Sequence, residues 1–484
     1  MGKKKQRKSG LKTEYTKQVN NNISPKSSTT LPAPAIAFKD SLGFGSRFID
    51  YMQDLQAFQQ AASAISIVPQ AFRDEASKQI EKLVTDGKVK LIKDPSNSAK
   101  NLYTFNFDVT REVIPAMTKQ ERFSRLLKTL PNTFSGLIIN FFENYLYEFF
   151  LYLLTKKSEL VDNLKHEIKL TDLQDVRSID ELREKMIQSY IENQILSENQ
   201  FEKFEWLLKR NIKVENFPER NTVYEAILRR NLFTHSRGTV NFRYWEGVKK
   251  HKIDLSGIPG FVPDMKVGHQ LSFDQEYHRK VTTGFVIFTM ILTQYALRHV
   301  VKQSIDADTL VLEASYNLID EANYELAIKL LDSVLNANFE DEVKISEDCR
   351  TKLIINLANA HRLNKNIKTA QKYLQGDTWK QKPLYHLAQQ VILGNYEIAG
   401  KIMKDEVRNE LASGDYLNYP LFIGFRETQY FVDAYKAIFQ KDQLVQERTV
   451  LKEMVGVTYA KFTPEQLAKQ PEVIRDMFRN AESK

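Results

Sequence analysis

The stretch LIINFFENYLYEFFLYLL, residues 137–154, constrains the fold more than any other. It is too long for an ordinary β-strand of about 5–6 residues. It also carries Glu143 and Glu148, and a charged side chain at the centre of a bilayer costs roughly 2.5–3.5 kcal/mol. A run that must be buried, but not in lipid, reads as a core helix packed among other helices. A second run, GFVIFTMILTQYAL at 284–297, is short for a span of about 20 residues and reads the same way. No membrane association is expected.

The composition agrees with a helical chain. Glycine and proline number only 18 and 14 in 484 residues, too few for a strand-and-turn architecture. This length predicts two or three domains. The net charge of +8 suits an anionic partner without demanding one. Cys349 is the one cysteine, which excludes an internal disulfide and cysteine-based zinc sites. A reducing cytoplasm is the expected location. The N-terminus has cations but no apolar core after them, so it does not read as a secretory signal.

Four regions are expected. Residues 1–37 are polar, carry Lys3, Lys4, Lys5, Arg7 and Lys8, and read as a disordered basic tail. Residues 38–125 form a small α+β region. Within it Phe48, Met52, Leu55 and Phe58 share a helix face, and 87–94 with 101–108 alternate like a β-hairpin. A helix followed by a wing also occurs in DNA-binding folds, but no recognition helix accompanies it. Residues 126–302 read as an antiparallel helical bundle, with Ser178 and Glu181 predicted to cap one helix.

Residues 303–484 contain three similar stretches, EANYELAIKLL, NKNIKTAQKYL and GNYEIAGKIM. Each places an alanine (Ala327, Ala370, Ala399) after a polar turn. The spacing is irregular, and the region resembles tetratricopeptide repeats forming an irregular α-solenoid. Two roles stand side by side: a concave face for a protein partner, or helices that only enlarge the bundle core.

No phosphate-binding glycine loop, HExxH or GxSxG motif is present. His269 and His278 flank Asp274 and Glu276, but nothing fixes a metal geometry. No cofactor or metal is expected.

The chemistry is expected instead in RRNLFTHSRGTVN, residues 229–241. A histidine can move a proton to or from a ribose hydroxyl. A guanidinium can neutralise charge on phosphoryl oxygens. Arg230 and His235 supply that pair, and Asn231 either holds the phosphate or orients the histidine. At about 100° per residue, Asn231 and His235 share a helix face, while Arg230 points roughly 140° from His235. The two meet if the helix ends early, or if a second copy completes the site across a two-fold axis. Gly238 is the expected helix stop.

RNLFTH resembles the signature of the HEPN superfamily of helical ribonuclease and nucleotide-binding domains. SRGTVNFRYW, VGHQLSFDQEY and IINFFENYLYEFF are similar to segments of that family in the same order. The resemblance covers about 130–300. It implies a homodimeric helical bundle and a metal-independent endoribonuclease that leaves a 2′,3′-cyclic phosphate. It implies Arg230 as stabiliser of the transferring phosphate, His235 as general acid or base, Asn231 as polar helper and Glu143 as a supporting group. It also implies a toxin or anti-phage effector.

Arg229, Arg237, Arg243 and Lys249, with Lys250, are candidates for an RNA-binding rim, or else ordinary solvated cations. Tyr244 and Trp245 either stack on a base or pack on the bundle. The expected function is therefore RNA cleavage. The alternative is a non-catalytic scaffold that dimerises through the bundle and holds a protein partner on its repeats.

Overall fold

The computed structural model describes residues 44–440, apart from 95–96, 106–109, 161–177, 197–198, 338, 340–343, 377 and 409. The basic tail and residues 441–484 of the repeat region lie outside the described residues. The fold is mainly α. Its strands, among the described residues, are β1 (Val89–Asp94) and β2 (Asn97–Phe105), an antiparallel pair with Val89 opposite Phe105. The hairpin is tighter than expected, because the second strand begins at Asn97.

Two long helices flank the hairpin: α1 (Phe44–Thr85) and α2 (Thr110–Lys156). They run antiparallel along their length. Phe44 stacks on Tyr152 with ring centroids 4.6 Å apart, Phe58 meets Phe134 at 5.7 Å, and Phe72 stacks on Phe123 at 5.0 Å. The expected boundary at 125/126 falls inside α2, and Pro131 does not interrupt that helix. Packing along α1 outweighs the local preference of proline to end a helix. The glutamates of the apolar run find partners: Glu148 pairs with Arg47, and Glu143 accepts from the Gln200 amide.

The bundle continues with α3 (Ile179–Tyr190), α4 (Gln200–Leu208), α5 (Arg220–Ser236), α6 (Phe242–Lys250) and α7 (Gln275–Tyr295). Ser178 Oγ accepts from Glu181 N, as the sequence predicts. α4 starts on a full capping box, in which Asn199 accepts from Glu202 N and Glu202 accepts from Asn199 N. Each orphan amide satisfied in this way contributes about 1 kcal/mol.

The apolar segment 284–297 belongs to a longer helical run, Gln275–Val301, whose last turn is π-helical. By length and composition this run is apolar enough to cross a membrane, but 78% of its apolar window is buried inside the protein. Two of its threonines are satisfied within the core: Thr289 Oγ1 donates to Phe285 O, and Thr293 Oγ1 to Thr289 O. Gly284 permits the crossing of α5 and α7, since a Cβ there would stand 2.7 Å from Thr222 Cγ2.

Beyond the bundle come α8 (Ser304–Asp320), α9 (Tyr324–Leu335), α10 (Glu347–Leu363), α11 (Ile367–Tyr373), α12 (Pro383–Leu393) and α13 (Tyr396–Asp405). Two further helices follow, α14 (Ser413–Asn418) and α15 (Gln429–Phe439). The three sequence repeats fold alike. A left-handed residue (Ala322, Lys365, Gly394) ends one helix, and an asparagine (Asn323, Asn366, Asn395) opens the next. The alanine four positions later is fully buried in each case. Its amide donates to the asparagine carbonyl.

No break in packing separates bundle and repeats at residue 302. One core runs from Phe44 through Leu330 to Ala360, and a second takes in residues 355–435. The Asn323 amide donates to Gln56 Oε1, joining the first repeat turn to α1.

Candidate active site

The segment RRNLFTHS forms the last turns of α5. The helix ends at Ser236, and Arg237 (φ 51°) and Gly238 (φ 82°) both take the left-handed conformation. Only glycine fits the second position. A Cβ there would lie 2.8 Å from both Phe233 Cε1 and Gln270 Nε2. Leu271 N donates to Gly238 O, pinning the helix end to the chain that enters α7.

Arg229 is not part of an RNA-binding rim. It is 1% exposed and lies behind the site. Its Nε donates to Glu225 Oε1 at 2.6 Å, and its Nη1 donates to Ser272 O and Pro259 O. The guanidinium lies 3.7 Å over the Tyr277 ring. Glu225, fully buried, also accepts from the hydroxyls of Tyr244 (2.9 Å) and Tyr277 (2.6 Å). Helix periodicity turns position 229 inward, and Glu225 one turn earlier provides the counter-charge. Tyr244 is thereby committed to packing, and half-buried Trp245 meets it edge-on at 5.8 Å.

Arg230 and Asn231 face the other way, into a cleft of about 400 Å³. α2 contributes Ile139 and Glu143, and α4 contributes its first turn, Gln200 to Lys203. Lys250 and His251, at the end of α6, close the cleft. Arg230 Nη1 donates to Asn231 Oδ1 at 3.2 Å, and Arg230 Nε is buried without a hydrogen-bond partner. The structure thus brings Arg230, Asn231 and Glu143 to one cleft from two helices distant in sequence.

His235 does not line this cleft. It is exposed on the last turn of α5, one turn beyond Asn231 on the same face. Arg237, Arg243 and Lys249 are exposed around the helix end and α6, outside the cleft lining.

Three cleft residues escape the sequence reading. Gln200 donates to Glu143 and leaves its own Oε1 buried without a partner. Lys203 is 3% exposed; burial lowers its pKa, and Glu143 counters this. His251 stacks on Phe201 with centroids 3.8 Å apart and planes 10° from parallel. Burial, then the neighbouring Lys250 and Arg220, holds its pKa below the ordinary histidine value, with Glu205 opposing. In sequence, His251 sits in a Lys-Lys-His-Lys run that looks like surface, and only the turn after α6 brings it to Arg230.

His278 lies elsewhere, among the rings of Phe58, Phe134 and Phe273, and Asp274 caps α7 by accepting from Tyr277 N. Among the described residues no group of three histidine, cysteine or acidic side chains is placed to hold a metal ion. No family model matches the chain, and no curated protein or solved structure matches it.

Proposed function

We propose that this chain is a metal-independent endoribonuclease of HEPN type, with a helical bundle followed by a solenoid resembling tetratricopeptide repeats. The observation that carries the reading is the cleft itself. Arg230 and Asn231, adjacent in the RNLFTH signature, face Glu143, the glutamate that the family resemblance selects in a different helix. In this reading the ribose 2′-hydroxyl attacks phosphorus, the bond to the 5′-oxygen breaks, and a 2′,3′-cyclic phosphate remains. Arg230 offsets charge on the phosphoryl oxygens, His235 acts in proton transfer, and Asn231 positions the phosphate.

His235 lies one helical turn, about 6 Å, past Asn231 along α5. RNA leaving the cleft passes it, and a second copy of the chain completes the enclosure. Phe242 supports such a homodimer as an apolar contact next to the motif, being 75% exposed. The RNA rim is then Arg237, Arg243 and Lys249, with Lys250 at the cleft mouth. The biological setting that fits is a cytoplasmic toxin or anti-phage effector whose repeats hold a protein partner.

The test is RNA cleavage by purified protein in EDTA, with analysis of the product ends. Wild type is expected to leave cyclic phosphates, and Arg230→Ala or His235→Ala to reduce the rate at least ~10²-fold with the fold intact. Cleavage unchanged in both variants sinks the site assignment. The three matching helix-turn-helix units favour a second reading, a non-catalytic scaffold, and absence of cleavage under every condition would select it.

A further inference from the structure

Three polar side chains of the cleft keep hydrogen-bonding capacity that the fold leaves unused, and they lie side by side. Gln200 Nε2 donates to Glu143 Oε1, while Gln200 Oε1 is buried without a partner. Lys203, three residues on, is 3% exposed, and no hydrogen bond or ion pair ties its ammonium among the described residues. Resting on the ribonuclease reading of the cleft, we propose that Glu143, Gln200 and Lys203 form a guanine-reading pocket, so that the enzyme cuts RNA beside guanosine.

Helix geometry sets this arrangement. Phe201 and Phe204 on α4 pack against Tyr224 of α5, with ring centroids 5.3 and 4.8 Å away. At about 100° per residue, Gln200 and Lys203 lie about 60° apart on the neighbouring face of α4. Glu143 meets that face from α2 through its bond to Gln200. Ile139, one turn before Glu143, and Ile227 of α5 supply apolar walls. Gln200 is only 8% exposed, and a buried acceptor without a donor is costly unless a ligand provides one.

The unused groups are Glu143 Oε2, Gln200 Oε1 and the Lys203 ammonium, two acceptors and one donor. The Watson–Crick edge of guanine is their complement, because N1–H and the N2 amine donate and O6 accepts. Adenine and cytosine each offer one donor group there, and uracil offers one N–H between two carbonyls. In the pocket Lys203 donates to O6, while N1–H and the N2 amine donate to Glu143 Oε2 and Gln200 Oε1. A phosphate fits worse, since a carboxylate and an amide oxygen would face it. With the base on the α2–α4 side, the adjoining phosphate lies on the α5 side, against Arg230 and Asn231. Glu143 then reads the base and leaves the transferring phosphate to Arg230.

Calorimetric titration of the full-length protein with nucleoside 3′-monophosphates tests the pocket without turnover. Guanosine 3′-monophosphate is expected to bind at least ~10-fold more tightly than the adenosine, cytidine and uridine forms. Inosine 3′-monophosphate lacks only the N2 amine and should bind about 10-fold more weakly than the guanosine form, because Gln200 Oε1 stays unpaired. Lys203→Met and Glu143→Gln should each reduce the preference for guanosine about 10-fold. The preference is a ratio of affinities, so a variant that merely loses folded protein leaves it unchanged. Equal affinity for the four nucleotides, or for the guanosine and inosine forms, overturns the proposal. So does an undiminished preference in both variants.

Sequencing of the RNA ends made by wild type should show cuts beside guanosine, with that bias reduced in Lys203→Met. Guanosine-selective binding with cuts spread over all four bases overturns the substrate assignment and leaves the ribonuclease reading standing. Guanosine-selective binding without any RNA cleavage overturns the ribonuclease reading instead, and the pocket then takes a free guanine nucleotide.

Discussion

Arg229→Met removes a charge that the fold has enclosed completely. The side chains of Arg229 and Glu225 are 1% and 0% exposed and 2.6 Å apart. Met keeps most of the apolar stem, so the loss is electrostatic and hydrogen-bonded rather than a cavity. Glu225 would keep only the Tyr244 and Tyr277 hydroxyls, and the carbonyls of Pro259 and Ser272 would each lose a donor. Breaking one side of a buried pair costs about 3–5 kcal/mol, because the other charge is left without a counter-ion. The contact with the Tyr277 face adds to the loss.

Burial works against the Arg229 charge, but Tyr277 and Glu225 outweigh it and hold its pKa above the ordinary arginine value. The assay is urea unfolding followed by tryptophan fluorescence, since Trp245 packs on Tyr244 beside the cluster. Arg229→Met should lose about 3–5 kcal/mol with little change in m-value. Glu225→Gln combined with Arg229→Met should recover at least ~1 kcal/mol of the summed single losses, because the two sites are in contact. A single-variant loss below ~1 kcal/mol, or strict additivity in the double variant, refutes the argument that these residues stabilise α5 as a charge pair.

Other outcomes follow from the same geometry. Burial among aromatic rings lowers the pKa of His278 to about 4, below its unfolded value of about 6.5. Its stabilising contribution is therefore present above about pH 6.5 and lost as pH falls through about 4, a change of roughly 3 kcal/mol. Calorimetry of wild type against His278→Phe across that window should show the variant with the shallower acid slope. Gly238→Ala should destabilise the protein by about 2–4 kcal/mol, combining left-handed strain with the 2.8 Å contacts to Phe233 and Gln270. It should also lower RNA cleavage by moving the α5 end that carries His235. A melting temperature within a degree of wild type would contradict this.

Much of the architecture was legible because periodicity reports burial directly. Phe48, Met52 and Leu55 are buried on α1 as their spacing predicts, as are Val223, Ala226, Ile227 and Phe233 on α5. The alanine after each polar turn of the repeats was visible because close helix approach demands a small residue. Domain limits were less legible. The expected boundary at 125/126 falls inside α2, which the long face of α1 holds as one continuous helix. At the site, the sequence paired Arg230 with His235, but the cleft joins Arg230 to Asn231 and to Glu143, the residue that the family resemblance picked out, and His235 stands outside it. Arg229 was read as a rim cation beside the catalytic Arg230, but a rotation of about 100° sends it into a buried network and Arg230 into the cleft. His251 left no local trace, since its place depends on where α6 ends relative to α4.

The hydrogen bond from Asn323 to Gln56 spans 267 residues of sequence. At synthesis rates of about 5–20 residues per second, Gln56 leaves the ribosome roughly 15–50 s before its partner exists. α1 can dock on α2 early, Phe58 included, but the contacts of Phe58 with His278 and of Gln56 with the first repeat turn wait for later segments. During that interval an apolar helix face is open to chaperones and to neighbouring nascent chains. Folding yield in a cell should therefore depend on translation speed through the stretch between α2 and α9.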